Sequence, residues 1–267
     1  MRSTRLKSVR SCALLLCFVA ASFAQRQASA HSGRRLLVEV ANGVLQAQGV
    51  NTGPADGAPS VRPYVNVIHD HWHNIYPDPA TGLSPFANSL LPDIGVPPNG
   101  QLQGYDLTLT LLGAQKWVNP PEMPTPGVVP LLQPLGPGET IRIETVNSDV
   151  STDAPGTLLL SVSVPARGID DLLLNYTTNR LPSNEIDVLT FRLSAKPADP
   201  TKPDLIADSG PIFVLLSPDG ANSMEKLHHA SLFLEAYLAK PIPEPSSCML
   251  AALSFVGIAR YRCGIGR

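Results

Sequence analysis

The sequence predicts a mainly β protein, a single antiparallel β-sandwich or jelly-roll-like domain. Three observations lead there. Eight or nine short apolar runs alternate with polar residues at the period of a strand. Prolines make up 27 of 267 residues, about twice ordinary usage, and cluster between those runs. Charged residues are sparse, at 16% of the chain. Short strands bounded by Pro, Gly and Asp clusters are the pattern of sandwiches and jelly rolls.

Taken in order, residues 35–40 (RLLVEV) and 44–50 (VLQAQGV) are two apolar runs parted by Ala41-Asn42-Gly43. Asn-Gly in that place predicts a hairpin, because both turn positions need positive φ. Residues 63–75 (PYVNVIHDHWHNI) alternate and predict a strand or strand edge. Residues 77–100 carry several prolines and no sustained period, which predicts an irregular surface loop. Residues 106–114 (DLTLTLLGA) predict a strand with Leu107, Leu109 and Leu111 on one face. Residues 119–138 are so rich in proline that they must be extended or turning. Further strands are predicted at 140–146, 157–164, 186–195 and 212–216. Residues 169–176 (IDDLLLNY) fit either a strand or a short helix. Residues 224–239 (MEKLHHASLFLEAYLA) predict a short C-terminal helix: Asn222 and Glu225 form a capping pattern, and Leu227, Ser231, Leu234 and Leu238 follow helical spacing. Leu232 and Leu234 also alternate, so a last strand is the other reading.

The two ends are of a different kind. Residues 1–30 open with Arg2, Arg5, Lys7 and Arg10, continue with an apolar core from Cys12 to Ala24, and end in Ala28-Ser29-Ala30. That order predicts a cleaved secretory signal peptide, with a core too short to span a bilayer. Export through the Sec machinery follows. The body occupies 31–240. Residues 241–267 hold Pro243-Glu244-Pro245, an apolar segment at 246–259, then Arg260, Arg262 and Arg267. This tripeptide, apolar helix and basic end resemble the PEP-CTERM sorting signal of bacterial exported proteins. The resemblance covers about a tenth of the chain. It implies reading by an exosortase, passage of 246–259 through the membrane only transiently, and delivery to the cell surface or extracellular matrix. The fourteen-residue segment reaches about 21 Å against a hydrocarbon core of about 30 Å, which suits a transient signal better than a permanent anchor. Through residues 69–74 (HDHWHN) and 116–121 (KWVNPP) the body is also similar to planctomycete surface proteins, a similarity that implies no activity.

Setting the ends aside changes the electrostatics. The leader takes five basic residues and the tail three, leaving twelve against all 22 acidic ones in residues 31–245. A net charge near −10 repels nucleic acid and anionic membrane surfaces. All four cysteines fall in the two ends, so thiol catalysis and cysteine-ligated zinc are excluded from the body. Its core must hold it together, and a chain of this size buries roughly 70% of its unfolded surface.

The sharpest chemical feature is His69-Asp70-His71-Trp72-His73. On a strand the three histidines share a face and Asp70 and Trp72 take the other. Histidines two apart lie about 6.6 Å from each other and can reach one ion, whereas His69 and His73, about 13 Å apart, can do so only on a bent strand. A site for Zn or Cu therefore needs an adjacent pair and a further ligand, with His228, His229 and Asp70 as candidates. The competing reading is a polar strand edge whose imidazoles meet water or backbone. Trp72, Trp117 and Tyr64 offer a sugar-stacking platform or simply core packing. Asp170-Asp171 reads as a solvated face before it reads as a metal pair. No Gly-x-Ser-x-Gly, His-Glu-x-x-His, phosphate-binding glycine loop or EF-hand loop is present, and no catalytic residue stands out. The expectation is an exported, surface-sorted structural or interaction protein of the envelope or matrix, with extracellular polysaccharide or envelope components as partners. A metal-binding surface protein and a carbohydrate-binding or carbohydrate-active module are the alternatives.

Overall fold

The structure is a computed structural model, and it describes residues 34–51, 63–76, 86–120, 129–180, 184–218 and 223–239. The expected leader at 1–30 and sorting segment at 241–267 lie outside the described residues. The rest is mainly β, with one helix among the described residues, neither long nor apolar enough to cross a membrane.

The chain begins with the predicted hairpin. β1 (Arg34–Ala41) and β2 (Val44–Asn51) pair along their whole length, and Asn42 and Gly43 turn between them with φ of 53° and 77°. Both positive angles match the turn whose twist fits a two-residue hairpin. The run at 63–75 is three short strands: β3 (Tyr64–Val65), β4 (Val67–Trp72) and β5 (Asn74–Tyr76). The segment read as an irregular loop holds two more, β6 (Phe86–Ser89) and β7 (Asp93–Val96). All four residues of β7 are buried, so it shows none of the alternation that marks a half-exposed strand.

The two longest strands pair with each other, and the first alternates as expected, burying Leu107, Leu109 and Leu111. β8 (Tyr105–Trp117) lies against β15 (Ile186–Pro197) over twelve residue pairs, with one irregularity near Thr190. Between them in sequence come β9 (Leu132–Pro134), β10 (Ile141–Glu144), β11 (Asp149–Ser151), β12 (Thr157–Ser161), β13 (Ile169–Leu172) and β14 (Asn175–Thr178). The ambiguous stretch at 169–176 is thus two strands. β16 (Ile212–Pro218) and α1 (Met224–Leu238) complete the elements of the described residues. Ser223, one residue after the expected Asn222, caps α1 by accepting the Lys226 amide at 3.2 Å.

The strands form three sheets. The first runs β13-β7-β1-β2-β3, the second β11-β10-β14-β6-β5, and the third β12-β8-β15-β16-β4 with β9 also on β8. They are not purely antiparallel: β1 with β7 and β16 with β4 run parallel. Each parallel pair joins strands far apart in sequence, which a strand-by-strand reading of hairpin signals cannot detect. One large core is shared by all three sheets, through residues such as Leu36, Ile94, Leu109, Ile143, Tyr176, Leu189 and Val214. A smaller core lies on the other face of the third sheet, where α1 sets Leu227, Ala230, Phe233 and Leu234 against Val67, Trp117, Ile186, Val188 and Leu215.

The shortest link between the first and third sheets is a single residue. Asn66, between β3 and β4, has φ of 55°, an angle asparagine tolerates better than most residues. Its amide donates to the Ala47 carbonyl at 2.7 Å, and its side-chain oxygen accepts the Ala47 amide at 2.8 Å. Its own carbonyl accepts the Phe213 amide at 2.9 Å. The sheets approach so closely beside it that a Cβ on Gly49 would stand 1.9 Å from the Val67 carbonyl oxygen.

Candidate functional site

The histidine block falls on β4, which α1 covers from one side and the large core from the other. Strand alternation sorts it as expected as far as Trp72. His69 lies beneath α1, while Asp70 and Trp72 belong with the opposite face, in register with Leu216 and Pro218 of β16. His73 does not follow. β4 ends at Trp72, and beyond that end the His73 ring comes within 3.3 Å of Asp70 through Nε2. The side chain has therefore turned away from His69 and toward the Asp70 carboxylate.

Beneath the helix, His69 is 1% exposed and its Nδ1 is joined to the Ser231 hydroxyl by a hydrogen bond of 2.7 Å. Its Nε2 is buried with no partner among the described residues. Burial pushes the His69 pKa well below the ordinary imidazole range, and the nearby Arg34, His228 and His71 push the same way. The Tyr64 ring stands between His69 and His228, with centroids 5.4 Å and 5.7 Å away, and its hydroxyl bonds the His228 Nδ1. His228 is also lowered, first by partial burial, then by His229 and Arg34, against the opposite pull of Glu225. His229 stacks loosely beside it at 5.6 Å. Glu235 accepts the Val65 amide at 3.0 Å and so ties the far end of α1 to β3. The arrangement is a polar seam in which neutral His69 and His228 meet hydroxyls between helix and sheet, beside the buried Arg34.

The Zn or Cu reading of His69, His71, His73, His228 and His229 asks for convergence, and the described residues hold no group of three or more His, Cys, Asp or Glu placed to share an ion. The physical reason is plain. His69 is engaged by Ser231, His228 by Tyr64, and His73 has crossed to Asp70. The stacking platform is not formed either: Trp72, Trp117 and Tyr64 are 0%, 2% and 4% exposed.

On the opposite face of β4 the polar groups are acidic and basic side chains. Trp72 Nε1 donates to Asp187 Oδ2 at 2.8 Å, and Arg180 grips the other oxygen of Asp187. Burial raises the Asp187 pKa while Arg180 and Trp72 oppose it. Arg180 reaches Glu185 at 3.1 Å, and Lys116 lies 3.0 Å from Glu139 and 3.9 Å from Glu185. Asp70 accepts the His71 amide at 2.7 Å through Oδ1, and its buried Oδ2 has no partner among the described residues.

Sequence reasoning missed Ser231, Arg34 and the Arg180–Asp187 pair. One signal was present: Ser231 occupies a place in the otherwise apolar helical stripe, and a hydroxyl there needs a buried polar partner. Nothing in the pattern marks Arg180 or Asp187, which pair across seven positions, while Trp72, the other partner of Asp187, lies on β4. The chain matches no family model, no curated protein and no solved structure.

Proposed function

We propose that this is an exported, surface-sorted β-sandwich protein that serves a non-catalytic structural or interaction role in the cell envelope or extracellular matrix. The observation that carries the reading is the order of segments in the chain. A secretory leader precedes the β body, and Pro243-Glu244-Pro245, an apolar run and a basic end follow α1 within a few residues. The body's character supports it. A cysteine-free, acidic module built on one core shared by three sheets suits an extracellular scaffold. Two of its most conspicuous polar residues, His69 and His228, are used in packing a helix onto a sheet. An exosortase is the processing partner in this reading, and matrix polysaccharide or another envelope component the resident one.

Mass spectrometry of the mature protein tests it. The expected C-terminal peptide ends near Pro245, and replacement of Pro243-Glu244-Pro245 by three alanines leaves the protein unprocessed and off the surface. A mature protein that still carries Arg260–Arg267, or surface delivery unaffected by the triple replacement, overturns the reading.

A further inference from the structure

In the first sheet, β1 outruns its neighbour. Arg35, Leu36 and Leu37 pair in parallel with Asp93, Ile94 and Gly95 of β7, and there the ladder stops, although β1 continues to Ala41. The contact is firm while it lasts. The Arg35 guanidinium grips the Asp93 carboxylate with two bonds, Nε to Oδ1 at 3.0 Å and Nη2 to Oδ2 at 2.8 Å. Gly95 makes room for that arm, since a Cβ there would stand 3.0 Å from Arg35 Cδ. The hairpin fixes which way each β1 residue faces. Ala41 and Val44 close a two-residue turn and bond each other, so Val40, Val38 and Leu36 aim their backbone groups at the β7 side. The Leu45 amide, opposite Val40, likewise turns outward, to the Ala207 carbonyl at 3.0 Å. The next nitrogen along β7 that would meet the Val38 carbonyl is that of Pro97, which carries no hydrogen. Val40 has no residue of β7 opposite it at all.

A cleft of about 350 Å³ opens at this place. Its floor is made of the buried Val38, Val96 and Leu102. Glu39 and Val40 form one wall, and the exposed turn at 97–101 forms the other. That turn does not supply the missing ladder, because the amides around it are spent elsewhere: Asn99 on the Ala166 carbonyl, Gln103 on Gly100 and Gly104 on Val164. Among the described residues, therefore, no strand lies beside the Val38 carbonyl or the two backbone groups of Val40. An open strand edge set in a cleft is a template for an added strand. Side chains of such a strand alternate in step with those of β1. Beside Val40 they face the apolar floor. Beside Glu39 they face the outer side and a carboxylate, one oxygen of which accepts the Gln48 side-chain amide.

We propose that this cleft is a strand-addition site for a protein partner: an extended peptide segment that alternates apolar and basic residues and exchanges backbone bonds with Val40. Charge decides the basic half of that pattern. Residues 31–245 carry twelve basic groups against 22 acidic ones, and Glu39 stands on the wall of the cleft. Lysine or arginine is drawn in where glutamate would be repelled. The floor decides the apolar half, because Val38, Val96 and Leu102 offer no polar side chain to bond. At a rise of about 3.3 Å per residue, a segment as short as the unpaired end of β1 is enough to fill the site. The proposal rests on the interaction role proposed above and names the partner's chemistry. It makes no use of the sorting segment, so its failure would leave C-terminal processing untouched.

Fluorescence anisotropy with the full chain and short labelled peptides tests the site. The probes alternate valine with lysine, with glutamate or with serine. The lysine probe is expected to bind about tenfold tighter than the glutamate probe, with the gap narrowing as salt is added. Val40→Pro removes the amide that faces the cleft and costs no bond to β2. It is expected to weaken the lysine probe about tenfold, the loss of about one backbone bond. N-methylation of every backbone amide of that probe keeps its side chains and charge, and abolishes binding with no change to the protein. Undiminished binding of the methylated probe or of Val40→Pro overturns the strand addition, as does no binding of the lysine probe up to about 1 mM. Protection of the Val40 amide by cellohexaose and not by the lysine probe, read by hydrogen exchange, overturns it too and makes the cleft a glycan site. If Val40→Pro does not fold, the methylated probe decides.

Discussion

The two faces of β4 solve the same problem by opposite means. Toward the large core, the buried polar groups are carboxyls met by donors: Asp187 by Arg180 and Trp72, and Asp70 Oδ1 by the His71 amide and His73. Toward α1 two buried or half-buried imidazoles are neutral and paired through hydroxyls: His69 with Ser231 and His228 with Tyr64. A charge under α1 would face Arg34, whose side chain is itself buried there, and no carboxylate acts on His69. The two faces should therefore differ in what unfolds them. The core side is sensitive to lost packing, and the helix side to acid.

The largest effect is expected from Trp72→Ala. It removes the biggest fully buried side chain of the large core and strips Asp187 of a donor, at a cost of about 3–5 kcal/mol by urea denaturation. A loss under 1 kcal/mol would break the claim that this face depends on packing. Gly49→Ala comes next. The new methyl meets the rigid Val67 carbonyl rather than a side chain that can move, and overpacking of this kind costs about 1–3 kcal/mol. Calorimetry at neutral pH measures it.

Acid separates the faces directly. Because the His69 pKa is depressed in the folded protein, its contribution is complete above the ordinary imidazole value of about 6.5 and shrinks as pH falls below it. The slope is about 1.4 kcal/mol per pH unit until the folded pKa is reached. Asp93 contributes with the opposite sign, so the informative quantity is the difference between wild type and His69→Gln at each pH. That difference should shrink from pH 7.5 to pH 5; a constant gap would sink the account of a neutral seam. The smallest effect belongs to the helix end: Ser223→Ala removes the cap of α1 and costs about 1 kcal/mol, read in the same denaturation series.

Much of the sheet architecture was legible because local signals were strong. Asn42-Gly43 announced the first hairpin, and the leucines of β8 announced a strand with one buried face. β7 was hidden for two reasons that act together. It is buried on both sides, so Asp93 and Gly95 sit where apolar residues are expected, and both serve Arg35 on a strand nearly sixty residues earlier. The histidine block was legible as a chemical oddity and illegible as a role. His69 is explained by Ser231, which lies 162 positions away, and His73 by the end of the strand at Trp72. Alternation places side chains on faces; it cannot say what element will cover a face, nor where a strand stops.

The link at Asn66 has a mechanical consequence. At the shortest of its crossings between the first sheet and the third the chain passes through this one residue, which is bonded to Ala47 on one side and Phe213 on the other. Shear applied to either sheet is thus transmitted to its neighbour across a joint one residue long, with no slack to absorb displacement. The two sheets should deform under load as one body, yielding together or not at all.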